Sequence, residues 1–361
     1  MSVQLSRLQK IRAKMSAEQV EGFLVTSMSN WRYMSGFTGD AGCLLVTPYN
    51  AFLLTDSRYV EQAEEQCAEA GFLVRKTTHD EDVLKSVMQS QGVKRLAFEK
   101  RFTNYGEWEK LCERLEGVEL TGIAGWVEEL RMVKIPKEIA LIARAQEIAD
   151  DAFALLFQSI RRGAKEDELA LELEFTMRKM GAEAVSFPII AVSGSRSSLP
   201  HGKPTSKALQ DGDFLTFDFG AMYRGYHSDE TRTFVIGHPE RKHEEVYDIV
   251  LKAQEAALDL VKPGVLAKEV DLAGRKVIED AGYGEYFGHG IGHGVGLDIH
   301  EGPSVSRKSE TVLEPGMVIT VEPGVYIPGF GGVRIEELVV VTGDGKRVLT
   351  TSPKALTVIK A

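Results

Sequence analysis

Asp213-Phe-Leu-Thr-Phe-Asp218-Phe-Gly-Ala-Met-Tyr-Arg-Gly-Tyr-His-Ser-Asp229-Glu-Thr-Arg-Thr-Phe-Val-Ile236 is the stretch whose reading decides how the second part of this chain folds. Its ends are rich in aromatic and β-branched residues and Arg224-Gly225 carries turn chemistry, so it reads as a β-hairpin. With the tip between Tyr223 and Arg224, Asp218 and Asp229 fall directly opposite each other, side-chain roots about 5 Å apart. Like charges so placed repel, and a buried pair is tolerated only when one is protonated or a cation lies between them. On an exposed hairpin the same two acids would need no partner.

A second stretch of the same kind favours the cation. Met317-Val-Ile-Thr-Val-Glu322-Pro-Gly-Val-Tyr-Ile327 and Gly331-Gly-Val-Arg334-Ile-Glu336-Glu337-Leu-Val-Val-Val341 read as two strands joined by a Gly/Pro-rich connection, each bringing acid into an apolar run. An unpaired charge there is costly. Period-2 alternation sets Arg334 and Glu336 on one face and Glu337 on the other. Either glutamate is a candidate ligand; Glu336 is favoured, with Arg334 as a neighbouring positive charge.

Between these stretches lies Tyr286-Phe-Gly-His289-Gly-Ile-Gly-His293-Gly-Val-Gly-Leu-Asp-Ile-His300-Glu301. Histidines at this spacing can mark a helical zinc site, but the alternating glycines argue against a helix and suit backbone packed close to a neighbour. Three histidines in one short segment, in a chain holding 8, point to function rather than structure. His201 sits in a loop, Ser198-Leu-Pro-His201-Gly-Lys-Pro204, and is uninformative by itself. Asp218, Asp229, His293, Glu322 and Glu336 together form a carboxylate-rich set that suits a pair of hard or borderline divalent cations.

Read together and in order, LPHG, TFDFGA, SDETRTF, HGIGHGVGLDIHE, TVEPGVY and GGVRIEE resemble the motifs of the pita-bread metallopeptidases, in particular the Xaa-Pro group of aminopeptidase P and prolidase. The first part of the chain resembles the creatinase/prolidase amino-terminal domain in Ser29-Asn-Trp-Arg-Tyr-Met-Ser-Gly-Phe-Thr38-Gly and Leu54-Thr-Asp56-Ser-Arg-Tyr59; it departs locally at Phe37-Thr-Gly-Asp40, where many relatives carry a serine after the glycine. The resemblance implies an α/β amino-terminal domain and an α+β pita-bread catalytic domain of two similar halves.

The same resemblance implies two divalent metal ions per subunit, manganese first and cobalt, zinc or iron as alternatives. Asp229 and Glu336 would bridge both ions, Asp218 would hold one, and His293 with Glu322 the other. His201, His289 and His300 match positions that line the substrate site, and Arg334 matches the arginine two before the last ligand. A bridging water made into hydroxide would attack the scissile carbonyl, with His300 or His201 stabilising the oxygen and Glu322 passing the proton to the leaving nitrogen. The implied substrates are peptides with proline in the second position, whose nitrogen has no hydrogen and whose ring fixes φ. A homodimer is implied as well. Alternatives are a non-catalytic peptide-binding or chaperone relative, which characteristically loses carboxylate ligands, and an aminopeptidase of broader specificity. No motif separates an aminopeptidase from a strict dipeptidase, which must recognise the carboxylate after proline.

Length and composition agree. A chain of 361 residues has room for two domains, placed here at 1–125 and 126–361, and 43% hydrophobic with 27% charged residues describes an ordinary globular protein. A net charge of -10 disfavours nucleic acid and acidic membranes. Cys43, Cys67 and Cys112 show no CxxC spacing and suit reduced thiols, and the start lacks the continuous apolar run of a signal peptide; both point to the cytoplasm. Before residue 125, strands are expected at Gly22–Thr26, Cys43–Thr47, Ala51–Thr55, Gly71–Arg75 and Arg95–Glu99. A long amphipathic helix is expected from Pro136, with further helices near 165–180, 241–261 and 267–281.

Overall fold

The computed structural model describes residues 2–78 and 82–360. Its residues form two compact units, one ending at Arg131 and one beginning at Met132. This division lies slightly beyond the boundary at 125 expected from the sequence, because Gly125 has a left-handed φ of 85° and starts another helix, Trp126–Met132, rather than a linker.

The first unit is built on a six-stranded sheet in the order Leu73–Lys76, Ala51–Thr55, Cys43–Val46, Gly22–Val25, Arg95–Glu99, Glu119–Ile123. The central runs Phe-Leu-Val and Leu-Leu-Val are buried on both faces, as expected for strands covered by helices. The last strand, Glu119–Ile123, has no fully buried residue, which is why no apolar run announced it. The cysteines of this unit are free thiols.

In the second unit the helix Pro136–Leu156 opens with proline at its first position, where the missing N–H costs nothing, and the Glu138 carboxylate accepts the Ile135 N–H at 2.9 Å. This helix and Glu166–Lys179 precede strands Ile190–Ser193, Phe214–Phe219 and Glu230–Ile236. The order then repeats. Helices Arg241–Leu260 and Ala267–Asp280 precede strand Gly292–Gly294 and the pair Val318–Val321 and Glu337–Val341. Helices Pro136–Leu156 and Glu166–Lys179 bury one apolar cluster with the first half's strands, while the cluster under Arg241–Leu260 and Ala267–Asp280 also takes in Phe214 and Val235 from those strands.

Alternation aims the acids. In Phe217-Asp218-Phe219 the two phenylalanines pack on Phe153 of the long helix, with ring centroids 5.3 Å and 4.7 Å away. Asp218, between them, points to the other face. Among the described residues no helix is long and apolar enough to cross a membrane.

Candidate metal centre

The register of the first hairpin differs from the expected one. Phe219 pairs with Glu230 and Asp218 with Thr231, and beyond a bend Met222 pairs with His227 and Tyr223 with Tyr226. The tip is therefore between Arg224 and Gly225, both with positive φ (49° and 76°), a two-residue turn of the primed type whose twist matches the strands. Moving the tip by one residue slides every pair by two. Asp218 and Asp229 are thus diagonal neighbours on one face rather than directly opposed.

The second hairpin keeps one register through an interruption. Val321 pairs with Glu337 on one side and Gly324 with Arg334 on the other. Carried across the break, that register sets Glu322 opposite Glu336. The segment between the hairpins has the close packing its glycines suggested: a Cβ on Gly292 would lie 2.1 Å from the Thr320 carbonyl oxygen. His293 is thereby laid directly beside the strand that leads to Glu322.

The hairpins meet at a cavity of about 800 Å³ lined by His201, Asp218, Asp229, His289, His293, His300, Glu322, Arg334 and Glu336. Asp229, His293 and Glu336 offer ligand atoms that all lie within 4.8 Å of one another. His293 Nε2 stands 3.4 Å from both Asp229 Oδ2 and Glu322 Oε1. Its Nδ1 lies 3.1 Å from the Gly294 carbonyl, which only accepts, so in the neutral ring Nε2 carries a lone pair facing two carboxylates. A proton or a cation must lie between them. Asp218 Oδ1 and Glu336 Oε1 are buried without a hydrogen-bond partner. Unfilled acceptors around an imidazole lone pair fit divalent ions, and the donors suit oxygen-preferring or borderline metals.

Burial raises the Asp218 carboxyl above the usual carboxylate range even with Arg334 beside it, and raises Asp229 and Glu336 well above it, where repulsion from neighbouring acids adds to desolvation. Without a cation, ionising all of these carboxyls together is disfavoured. Burial also lowers the imidazoles of His289 and His300, so both favour the neutral ring. The His300 ring is 4.4 Å from that of His293.

Several supporting residues escaped the sequence reading. Arg334 donates to Asp218 Oδ2 (2.5 Å), to the Tyr326 hydroxyl (3.0 Å) and to Thr231 Oγ1 (2.9 Å), which itself donates to Glu336 Oε2 (2.6 Å). The Tyr326 hydroxyl is 2.9 Å from His289 Nε2, while His289 Nδ1 faces the Gly290 carbonyl at 2.8 Å. Both nitrogens of His289 are engaged, so it offers the cavity its carbon edge. Thr320 Oγ1 accepts the His293 N–H at 3.0 Å and donates to Glu322 Oε1 at 3.2 Å.

Behind the centre, Glu230 and Glu337, the chain neighbours of Asp229 and Glu336, each lie 3.2 Å from Nη2 of buried Arg232, whose Nη1 donates to the Thr231 and Glu336 carbonyls. The doublets Asp229-Glu230 and Glu336-Glu337 were the available signal: alternation sends one acid of each forward and one back.

The family model described as metallopeptidase family M24 matches residues 140–343, and that of the creatinase/prolidase N-terminal domain matches 7–133. The chain belongs to metallopeptidase family M24. It is a peptidase; its first unit is a creatinase-type α/β domain and its second unit has the pita-bread fold. A Pyrococcus horikoshii protein named Xaa-Pro dipeptidase is 40% identical to it, over 99% of this chain and 100% of that one. The structure of an Xaa-Pro dipeptidase from Bacillus anthracis superposes with a TM-score of 0.95 at 43% identity, covering 99% and 100% of the two chains. An X-Pro aminopeptidase from Thermotoga maritima gives 0.87 at 40% identity, covering 94% and 98%. These similarities group this family member with the Xaa-Pro peptidases.

Proposed function

We propose that this metallopeptidase hydrolyses the Xaa-Pro bond of dipeptides, or of longer peptides at their amino terminus, using two divalent ions held by Asp218, Asp229, His293, Glu322 and Glu336. The observation that carries the reading is the convergence of acids from two hairpins and one imidazole lone pair in a single cavity. When bound, the ions supply a water acidic enough to act as a nucleophile near neutral pH.

The remaining steps belong to the chain. Glu322, oriented by Thr320, accepts the proton of the attacking water and returns it to the proline nitrogen, which must gain one to leave. His300, neutral and beside His293, or His201 on the facing loop, donates to the carbonyl oxygen as charge grows there. Arg334 holds Asp218 in place and, through Tyr326, fixes His289. Phe187, Pro188, Ile189 and Ile190 give the cavity an apolar wall against which a proline ring can rest. Manganese is the ion this reading expects, with cobalt, zinc or iron as alternatives, and the working form is a cytoplasmic homodimer.

The test is hydrolysis of Gly-Pro and of a matched Gly-Pro tripeptide by metal-stripped enzyme with and without manganese. Metal-dependent cleavage of Gly-Pro is the expected result, and cleavage of both substrates identifies the aminopeptidase form. No cleavage of either in the presence of metal contradicts the reading.

A further inference from the structure

The cavity is crowded with acids, yet a Xaa-Pro dipeptide brings a free carboxylate of its own immediately after the proline. Desolvating that group without a cation opposite it is unfavourable. Of the residues lining the cavity only Arg334 and Lys203 carry a fixed positive charge. Arg334 is buried and committed to Asp218, Tyr326, Thr231 and the Pro200 carbonyl. Lys203 is exposed at the cavity wall, and its ammonium has no ion pair or hydrogen bond among the described residues.

The backbone carrying Lys203 is fixed although its side chain is free. Glu166, fully buried, accepts the N–H and hydroxyl of Ser193 (2.7 and 2.8 Å) and those of Thr205 (3.1 and 2.8 Å), tying together the two ends of the loop. Its other neighbour, Arg196 Nε at 3.3 Å, belongs to a guanidinium whose Nη2 donates to the Lys203 carbonyl at 2.5 Å. Pro204 follows and restricts Lys203 to extended backbone. Lys203 is thus a cation on a flexible stem over a pinned backbone, two residues from His201, at the wall of a cavity whose other fixed cation is already committed.

We propose that Lys203 binds the carboxylate that follows proline and so makes the enzyme favour dipeptides over longer or capped substrates. This rests on the Xaa-Pro reading above. A solvent-exposed pair of this kind is worth little, so the expected preference is modest, about fivefold.

The experiment compares manganese-loaded wild type, Lys203→Met and Lys203→Arg on Gly-Pro and on Gly-Pro amide, which lacks the charge. The proposal expects wild type to favour Gly-Pro, Lys203→Met to lose about fivefold of that preference through KM for Gly-Pro rather than kcat, and Lys203→Arg to restore it. Hydrolysis of neither substrate by wild type overturns the Xaa-Pro reading. Hydrolysis of Gly-Pro with no preference over the amide, or with a preference that Lys203→Met leaves intact, overturns the role of Lys203 alone.

Discussion

The two acid-bearing hairpins solve one problem in two ways. In Phe214–Ile236 the short acids Asp218 and Asp229 sit diagonally on one face, and a bend hands the strands from one sheet to another. In Val318–Val341 the longer acids Glu322 and Glu336 take opposed positions where the ladder is interrupted at Pro323. Both carry a second acid one residue on, facing away from the cavity. The pairs are joined across the centre by the Glu336 N–H to the Thr231 carbonyl at 3.2 Å, and behind it by Arg232. What differs is repair: each glutamate accepts a threonine hydroxyl, while Asp218 relies on Arg334. Each hairpin thus supports an acid of the other: Thr231 of the first holds Glu336, and Arg334 of the second holds Asp218.

The largest expected effect breaks the symmetry outright. Glu336→Ala removes an acid that the Thr231 hydroxyl and the Glu336 N–H tie to both hairpins, and it should reduce kcat/KM by more than the 10- to 100-fold typical of supporting residues. Asp229→Ala, the counterpart in the other hairpin, should do the same. Peptidase assays beside metal analysis check both, and full metal-dependent activity in either variant breaks the equivalence.

Next come the supporting hydroxyls. Thr231→Val cuts the link among Arg334, Thr231 and Glu336 and should weaken metal binding about 10- to 100-fold, whereas Thr320→Val, acting on Glu322 within one hairpin, should cost less. Competition with a metal chelator ranks the two. The reverse order would place the critical support in the second hairpin alone.

The pH response sharpens the comparison further. Asp229 and Glu336 hold protons in the folded metal-free chain at pH values where the unfolded chain, with carboxyl pKa values near about 4, has released them. The folded state then binds more protons than the unfolded one, so stability falls as pH rises above about 4 until the folded groups ionise. Ions favour the charged carboxylates, so manganese should stabilise more strongly as pH rises through the same window. Thermal melts of stripped and loaded protein across pH should show the two curves diverging; parallel curves would mean that the acids are not the ligands.

The smallest effect belongs to the turn. Gly225→Ala places a side chain at φ 76° and should cost about 1 kcal/mol of stability while leaving metal stoichiometry unchanged. Denaturant unfolding measures it.

The sequence made the acids legible through their environment. Asp218 between phenylalanines, and Glu322 and Glu336 among valines and isoleucines, follow a two-residue period that admits only one facing for each. The register was less legible, because a hairpin's pairing depends on which residues take positive φ, and Arg224 gives no such signal by its type. The network behind the centre was hidden for another reason. Glu230, Arg232 and Glu337 look like solvated charges one at a time, and only the meeting of two distant strands makes them partners. Strand Glu119–Ile123 was missed because its residues are only half-buried and leave no apolar pattern. Lys203 shows its position only once Glu166 and Arg196 have closed its loop.

The most direct test is calorimetric titration of metal-stripped protein with manganese at neutral pH, on wild type and on Glu336→Ala. Wild type is expected to take up two ions per chain and the variant to lose at least one. A wild-type chain that takes up no ion, or a variant that binds two as tightly as wild type, contradicts that expectation.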